Sequence, residues 1–294
     1  MKLPRYPVYV PSYGRSQHNH TARFLLKDQV PFWLVVVREQ APDYAKAVPD
    51  ARLLVLPDGV RGLLATRIWI RSHAEEAGAQ RHWQLDDNIR QVCRRYKGKR
   101  LPCASGVALR VCEDFVDRYT NVAVAGLQYE MFLPDNQQHP PFYVNSKVYS
   151  CSLINHEIPF TWRLAYNDDT DLCLQALAQG WCTVTFNAFM VAKIRTMKVK
   201  GGNTDDLYQG DGRLRMSKTL ERVWPYVVTT KRRFQRPQHV VRAAWRKFHQ
   251  PLIRRADLDW DALAQGGSDE YGMKLKQVAP EVRSRSLRDL LDQG

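Results

Sequence analysis

Apolar runs that alternate with helical patterns restrict the fold of this chain more than any other feature. Phe32–Val37 is almost continuously apolar, as a strand buried on both faces of a sheet should be. Val8–Val10 and Arg52–Leu56 are further short strands, and a helix over Thr21–Lys27, with Thr21 as its N-cap, separates the first two strands. Strands that alternate with helices predict a parallel sheet with crossover helices.

The same alternation continues along the chain. Helices are predicted over Gly62–Gly78, where Gly78 would cap the C-terminus, and over Asn167–Gly180. Four more strands are predicted at His82–Leu85, Val122–Leu127, Tyr143–Leu153 and Thr183–Phe186. The expected fold class is therefore α/β, with a Rossmann-like, mixed, mostly parallel sheet flanked by helices and a basic helical extension at the C-terminus.

Composition excludes several classes of protein. Hydrophobic residues make up 44% and charged residues 25% of the chain, which excludes disordered, collagen-like and membrane-spanning proteins. The N-terminus lacks an apolar signal-peptide core because Pro4 and Pro7 interrupt it, so we expect a cytoplasmic protein that does not contact a membrane. The six cysteines are dispersed without a C-x-x-C pair, which favours buried free thiols over a zinc site.

Charge is concentrated in one segment. The chain has 44 Lys and Arg against 30 Asp and Glu, and residues 213–255 alone hold 13 basic residues and one acid, Glu221. Such a segment favours a polyanionic partner, with nucleic acid ahead of an anionic membrane surface, over a basic face that only aids solubility. We therefore expect residues 1–204 to form the α/β domain, 205–256 a basic helical segment that contacts nucleic acid, and 257–294 a tail.

Two acidic motifs and one glycine pair carry candidate chemistry. Asp86, Asp87 and Asn88 follow a buried strand and are hard oxygen ligands that suit Mg²⁺ or Mn²⁺ with a diphosphate, although a turn or cap would use the same residues. Asp168, Asp169 and Asp171 begin a helix, where they either only cap it or supply a general base whose pKa its neighbours raise. The run Lys200-Gly201-Gly202 can wrap a phosphate, but it also marks any loop.

Several short motifs, in their order along the chain, resemble a known family. They are Tyr9-Val10-Pro11-Ser12-Tyr13-Gly14-Arg15, Glu39, Gly62 with Thr66-Arg67, Leu85-Asp86-Asp87-Asn88-Ile89 and Asn167-Asp168-Asp169-Thr170-Asp171-Leu172. Together they are similar to the GT-A nucleotide-sugar transferases. More narrowly, they resemble the phage and kinetoplastid group associated with TET/JBP dioxygenases, which glycosylates 5-hydroxymethylpyrimidines in DNA. The resemblance covers residues 6–204 and implies a GT-A-like catalytic domain there.

The resemblance also implies roles for single residues. The donor UDP-sugar would be bound by Pro11, Ser12, Tyr13, Gly14, Arg15, Glu39, Arg67, Asp86, Lys200, Gly201 and Gly202. Asp87 would bind Mn²⁺ or Mg²⁺, but Asn88 stands where the family's D-x-D pattern has an acid, so either residue is a candidate ligand. Asp169 would be the catalytic base, with Asp168 as the next candidate, while Asp171 would cap the helix or orient the base.

The implied reaction moves a sugar from a UDP-sugar to 5-hydroxymethylcytosine or 5-hydroxymethyluracil in DNA, with inversion. DNA would be bound by Arg232, Arg233, Arg236, Arg242, Arg246 and Lys247, with Arg242 and Arg246 on one helix face. Phe234, Trp245 and Phe248 would tether this segment, and Tyr129, Phe132, Tyr143 or Tyr149 would stack on the acceptor base. The alternatives are a transferase for saccharide or protein hydroxyls and a non-catalytic nucleic-acid-binding protein on a transferase fold.

Overall fold

A ten-stranded mixed sheet forms the centre of the molecule. The computed structural model describes residues 2–135, 137–194, 211–233, 235–265 and 267. The strands are β1 (Val8–Pro11), β2 (Trp33–Val36), β3 (Arg52–Val55), β4 (Arg81–Leu85), β5 (Ile89–Tyr96), β6 (Lys99–Pro102), β7 (Val122–Tyr129), β8 (Phe142–Val144), β9 (Cys151–Asn155) and β10 (Cys182–Lys193). Their order is β3-β2-β1-β4-β9-β7-β10-β5-β6, with β8 paired to β10.

Seven of the ten strands run in one direction, while β5, β8 and β9 run against them. The predicted α/β class with a mixed, mostly parallel sheet flanked by helices is confirmed. Because β1, β4, β7 and β10 share this direction, their carboxyl ends meet at one edge of the sheet. That edge is where open α/β sheets bind ligands, and it is called the catalytic edge below.

Seven α-helices lie within the described residues. They are α1 (His20–Lys27), α2 (Ala41–Ala47), α3 (Gly62–Glu76), α4 (Ser105–Val116), α5 (Asp168–Ala178), α6 (Gly212–Val223) and α7 (Trp260–Gln265). Helix α4, which was not predicted, buries Ala108, Leu109, Cys112 and Val116 against the sheet at helical spacing. The β5–β6 hairpin was also missed, because its strands are rich in arginine and lysine and lack an apolar run.

The predicted cap of α1 is wrong. Asn19, not Thr21, caps the helix, and its side chain accepts a hydrogen bond from the backbone N–H of Ala22 at 2.9 Å. Thr21 lies inside the helix, where its hydroxyl donates to the carbonyl of Asp86 and accepts from the N–H of Ile89. Thr21 therefore ties α1 to the turn that carries the acidic motif.

The predicted strand Tyr143–Leu153 is two strands, β8 and β9, which a loop separates. Asn145 and Ser150 at the ends of this loop have φ of 60° and 48°, in the left-handed region, so the chain leaves the extended conformation there. The other predicted strands and helices are found with small shifts of their ends, except that β10 extends seven residues beyond Phe186, to Lys193.

The basic segment is only partly helical. After α6 the chain forms a hairpin of β11 (Val228–Arg233) and β12 (Arg236–Val241). β-Branched residues at the start of β11 and at the end of β12 favour strands there. A 3₁₀ helix follows over Ala243–Phe248, and with three residues per turn it does not place Arg242 and Arg246 on one face. The segment predicted as helical therefore contains a β-hairpin beside its helix.

The segment nevertheless packs on the α/β domain as expected. Trp245 is 2% exposed and lies in an apolar cluster with Leu174 and Leu177 of α5, and Phe248 packs against the same cluster. These contacts support the predicted tether, while Phe234 lies outside the described residues. The expected domain boundary at residue 204 also lies outside them.

Two predictions from composition can be compared with the structure. All six cysteines are free, and five of them are buried. Within the described ranges, no helix is long and apolar enough to cross a membrane.

Candidate active site

The loop after β1 forms the first wall of the candidate site. The predicted donor residues Pro11 to Arg15 leave the sheet at the catalytic edge, where the N–H of Ser12 still bonds to the carbonyl of Val35 at 3.0 Å. Gly14 has a φ of 66°, and its N–H donates to the side chain of Gln40. Tyr13 projects into solvent with 56% of its surface exposed, so its ring is open to a ligand.

Asp87 locks this loop to the end of β4. Its two carboxylate oxygens accept hydrogen bonds from the Arg15 guanidinium at 2.6 Å and from the Ser12 hydroxyl at 2.8 Å. Tyr44 of α2 supports both partners, since its hydroxyl bonds to the Ser12 hydroxyl and accepts the N–H of Arg15. Burial raises the pKa of Asp87, and the Arg15 charge opposes that rise.

Asp86 faces a different set of cations. Its carboxylate accepts from the Lys193 ammonium at 2.6 Å and from the Ser150 hydroxyl at 2.5 Å, and a guanidinium nitrogen of Arg67 lies 3.8 Å away. Although burial acts to raise it, Lys193 and Arg67 lower the pKa of Asp86 to about 2. Asp86 is therefore ionised at every physiological pH.

Lys193 and Ser150 were not predicted as site residues. Lys193 ends the long buried strand β10 at the catalytic edge, and a lysine that terminates an apolar strand is the sequence signal that could have identified it. Ser150 has no such signal, because its position depends on the left-handed loop before β9. Tyr129 contacts both residues through its hydroxyl, so the end of β7 completes this cluster.

The acidic start of α5 provides the opposite wall. Asp168 is buried and pairs with Arg67 of α3, with 2.6 Å between the carboxylate and guanidinium Nε. The side chain of its neighbour Asp169 accepts the N–H of Thr170 at 2.6 Å. Burial and the adjacent Asp168 charge raise the pKa of Asp169 to about 7, while Lys147 acts to lower it. Asp169 can therefore both accept and release a proton near neutral pH.

Asp171 has a structural role. Its buried carboxylate accepts hydrogen bonds from Arg163, from the indole N–H of Trp224 at 2.7 Å and from the amide of Gln175 at 3.0 Å. Trp224 directly follows α6, so Asp171 anchors the basic segment to α5. These contacts turn the Asp171 carboxylate toward the basic segment, so the expected role of orienting the base is not supported.

A chain of hydrogen bonds runs from Arg67 into the core. Gln84 of β4 accepts from Arg67 at 3.1 Å and donates to His82 Nε2 at 2.8 Å. His82 Nδ1 donates to His156 Nε2 at 2.6 Å, since His156 uses its Nδ1–H for the carbonyl of Ala79. Burial lowers the pKa of both histidines, so both imidazoles are neutral and the direction of every bond is fixed.

The described residues do not fit the predicted metal site. Both oxygens of Asp87 are occupied by Arg15 and Ser12, and the amide of Asn88 donates to the carbonyl of Ile194 at 3.2 Å. The described part of the chain contains no group of three or more His, Cys, Asp or Glu that could hold a metal ion. Of the motif's oxygens, the buried Asn88 Oδ1 has no hydrogen-bond partner within the described residues, and one neutral oxygen is not a cation site.

The remaining predicted residues are spread over several places. Glu39 lies beyond β2 at the catalytic edge, where it forms an exposed ion pair with Arg61 at 2.6 Å. Tyr143 is buried and bonds to His139, so it is not an open stacking surface. Lys200, Gly201 and Gly202 lie outside the described residues.

The hairpin of the basic segment approaches the acidic wall. Burial and the positive charge of Lys147 lower the pKa of His239 in β12 to about 3. Of the six predicted DNA contacts, Arg232, Arg236, Arg242 and Lys247 are exposed, whereas Arg233 and Arg246 are partly buried. These cations thus lie on a segment that packs against α5, the helix that begins with Asp168 and Asp169.

Comparisons with known proteins agree with this geometry at the level of family. A protein-family model described as TET-Associated Glycosyltransferase matches residues 6–202. No curated protein sequence gives a significant match.

Three solved structures are similar to the chain at low identity. A197 from STIV has 13% identity and a TM-score of 0.39, and the match covers 65% of this chain and 86% of that one. A protein from Desulfovibrio desulfuricans G20 described as a putative nucleotide-diphospho-sugar transferase has 10% identity and a TM-score of 0.36, with 76% and 99% covered. Mannose-1-phosphate geranyltransferase from Thermus thermophilus has 14% identity and a TM-score of 0.31, with 62% and 57% covered.

Proposed function

We propose, on the premise that this chain belongs to the family of TET-associated glycosyltransferases, that it moves a sugar from a UDP-sugar to 5-hydroxymethylcytosine or 5-hydroxymethyluracil in DNA. That the chain is a glycosyltransferase enzyme follows from the family itself. The observation that carries the finer proposal is Asp169, an acid with a pKa of about 7 near Arg67, which also faces Asp86.

The donor is proposed to lie along the catalytic edge. The loop Pro11 to Arg15 would hold the nucleotide, with the exposed ring of Tyr13 against the uracil and Glu39 near the base or ribose. Asp86 would contact ribose or sugar hydroxyls. Asp87 and Asn88 are proposed to fix the shape of this loop, because their contacts are with protein groups.

The diphosphate is proposed to lie near Arg67 and Lys193. Both cations are held at the catalytic edge by carboxylates, so they can compensate the charge that develops on the departing phosphate. Lys200, with the backbone of Gly201 and Gly202, is expected to join them. In this proposal, side chains of the protein supply the positive charge at the leaving group.

Asp169 is proposed to act as the base, with Asp168 holding Arg67 beside it. The acceptor hydroxymethyl oxygen attacks the anomeric carbon, and its proton passes to the Asp169 carboxylate. The bond between that carbon and the phosphate oxygen breaks, and UDP leaves with the electron pair. Because attack and departure occur on opposite faces of a sugar with oxocarbenium character, the configuration inverts.

The acceptor is proposed to be DNA because exposed arginines and lysines lie on the segment that packs against α5, the helix that begins with Asp168 and Asp169. Arg232, Arg233 and Arg236 lie at the end of the β11–β12 hairpin, and Arg242, Arg246 and Lys247 lie around the 3₁₀ helix that follows. A two-stranded ribbon of this kind fits the major groove of a duplex, and its cations would contact phosphates.

Mass spectrometry of nucleosides tests the reaction directly. DNA that contains hydroxymethylcytosine or hydroxymethyluracil is incubated with the protein and a panel of UDP-sugars, once with Mn²⁺ and once with EDTA. A hexose or N-acetylhexosamine mass on one nucleoside would establish reaction, acceptor and donor. An absolute need for Mn²⁺ would contradict the proposed role of the side-chain cations.

Asp169→Asn separates catalysis from binding. The variant is expected to lose transfer by 10²-fold or more, on the order of a removed general base, while duplex affinity stays unchanged. Asp257→Asn, an exposed acid in an ion pair with Arg255, is the matched control and should keep full activity. UDP release without a nucleoside product would instead indicate a saccharide or protein acceptor, and binding without UDP release would indicate a non-catalytic protein.

A further inference from the structure

Two large apolar side chains are exposed beside the catalytic edge. Strand β7 is buried along almost its whole length and ends at Tyr129, and the 3₁₀ turn Glu130–Phe132 follows directly. In this turn Met131 is 61% exposed and Phe132 is 39% exposed. Single exposed apolar residues are common, but two adjacent ones at the rim of an active site need an explanation.

A row of aromatic rings connects this turn to the catalytic acid. The ring of Phe132 lies 5.7 Å from that of Tyr129, which stacks on Tyr149 at 5.6 Å with 17° between the planes. Tyr149 is close to Asp169, whose charge contributes to the raised pKa of the tyrosine. The row therefore leads from solvent at Phe132 to the proposed base.

Cations flank the turn on its other side. The β5–β6 hairpin, residues 89–102, contains six basic residues and no acid. Arg90 and Arg100 lie 3.7 and 3.9 Å from Glu130, and Lys97 and Lys99 at the hairpin end are exposed. This charge complements a polyanion and lies outside the segment 213–255 to which the sequence analysis assigned nucleic-acid binding.

The turn also has a firm support. Arg95 of β5 donates hydrogen bonds to the carbonyls of Leu133 at 3.2 Å and Pro134 at 3.1 Å, just after Phe132. Leu133 itself is fully buried with Cys93 and Met190. The backbone that follows the exposed pair is thus fixed to the sheet. Met131 and Phe132 therefore project from a rigid support.

We propose that Met131 and Phe132 form a wedge that enters a DNA duplex beside the acceptor nucleotide and fills the space of the base that turns out toward Asp169. The inference rests on the proposed function and specifies how a duplex acceptor is opened. Turning a base out of a duplex costs a few kcal/mol, and apolar side chains that insert between base steps compensate this cost. The cations of the β5–β6 hairpin would hold the phosphates next to the opened step.

Transfer to matched single-stranded and duplex oligonucleotides tests the wedge. Met131→Ser and Phe132→Ser should lower kcat/KM on the duplex by about tenfold, corresponding to about 1.4 kcal/mol, while the value on the single strand stays within about twofold. A mismatch opposite the acceptor should restore part of the loss, because an unpaired base turns out more easily. Leu3→Ser, which precedes β1 at the opposite edge of the sheet and is 37% exposed, is the control.

A second readout does not depend on transfer. A duplex with 2-aminopurine next to the acceptor is titrated with protein in the absence of donor, and its fluorescence should rise with wild type and Leu3→Ser but not with Met131→Ser. Equal loss of transfer on both substrates, or an unchanged duplex rate, would overturn the wedge. If wild type transfers no sugar to either DNA, the proposed function fails. In that case the 2-aminopurine titration still tests the wedge. A fluorescence rise with wild type that is absent with Met131→Ser supports the wedge, and no rise with wild type overturns it.

Discussion

Two acids of this site differ in their protonation, because cations dominate the surroundings of one and burial those of the other. Lys193 and Arg67 lower the pKa of Asp86 to about 2, whereas burial and the adjacent Asp168 charge raise the pKa of Asp169 to about 7. This division allows one acid to hold the site together and the other to move a proton.

The pH dependence of transfer follows from Asp169. A base must be ionised to act, so kcat/KM on a single-stranded acceptor should rise with pH and level off above about 7. Lys147→Met removes a positive charge that favours the carboxylate, so the inflection should move to higher pH. Rates measured from pH 5 to 9 check this shift, and Lys46→Met, an exposed lysine of α2, should leave the profile unchanged.

Gln84 is a positioning residue for Arg67. Gln84→Leu removes the acceptor of the Arg67 hydrogen bond and the donor to His82, so the guanidinium loses its fixed orientation toward Asp168. We expect kcat to fall by about tenfold, since misplacement of about 1 Å has effects of this order or larger. KM for DNA should stay within about twofold, because the basic surfaces are unaffected. An unchanged kcat in a folded variant would contradict this role.

At the scale of elements, the site depends on loops that break regular structure. The loop between β8 and β9 carries Lys147, Tyr149 and Ser150 into the site, and it passes closely over β7. Gly126 of β7 makes this approach possible, because a Cβ at that position would overlap the carbonyl oxygen of Cys151 and a methyl group of Val148. The glycine is therefore required by packing rather than by its backbone angles.

Gly126→Ala should destabilise the protein strongly. The backbone carbonyl of Cys151 cannot move without disturbing β9, so we expect a loss of about 3 kcal/mol or a failure to fold. Urea unfolding followed by circular dichroism measures the change in the free energy of unfolding. Gly267→Ala, where an added Cβ meets no atom of the described residues within 4 Å, should be neutral. Equal stability of the two variants would show that β9 can shift.

At the scale of the whole molecule, positive charge lies on two sides of the catalytic edge. The β11–β12 hairpin packs against α5, the helix that begins at Asp168, and the β5–β6 hairpin borders the turn that carries Met131 and Phe132. The aromatic row crosses between them. A bound duplex would thus be held on both sides of the nucleotide that reacts.

Salt dependence tests this arrangement. Arg232→Ser and Lys99→Ser, one on each hairpin, should each reduce the slope of log affinity against log salt by about one, because each removes one phosphate contact. Fluorescence anisotropy of a labelled duplex from 50 to 300 mM salt measures the slope. Lys46→Ser should leave it unchanged. If only Arg232→Ser changes the slope, the second basic surface does not bind DNA.

The sequence by itself determined the fold class, most strands and helices, and the two acidic motifs at strand and helix ends. These features are local, since apolar periodicity and capping are decided within a few residues. The β5–β6 and β11–β12 hairpins were missed or misassigned because charged residues there mask the apolar pattern, whereas α4 was missed although its apolar residues have helical spacing.

Only the tertiary structure decided which partner each functional side chain has. Lys193 reaches Asp86 across 107 positions of the chain, and Arg67 reaches Asp168 from another helix. Such pairs depend on strand order, here β4-β9-β7-β10, which no local pattern encodes. The sequence places Asp87 and Asp169 at the ends of elements, but their raised pKa values follow from burial, which only the tertiary structure creates.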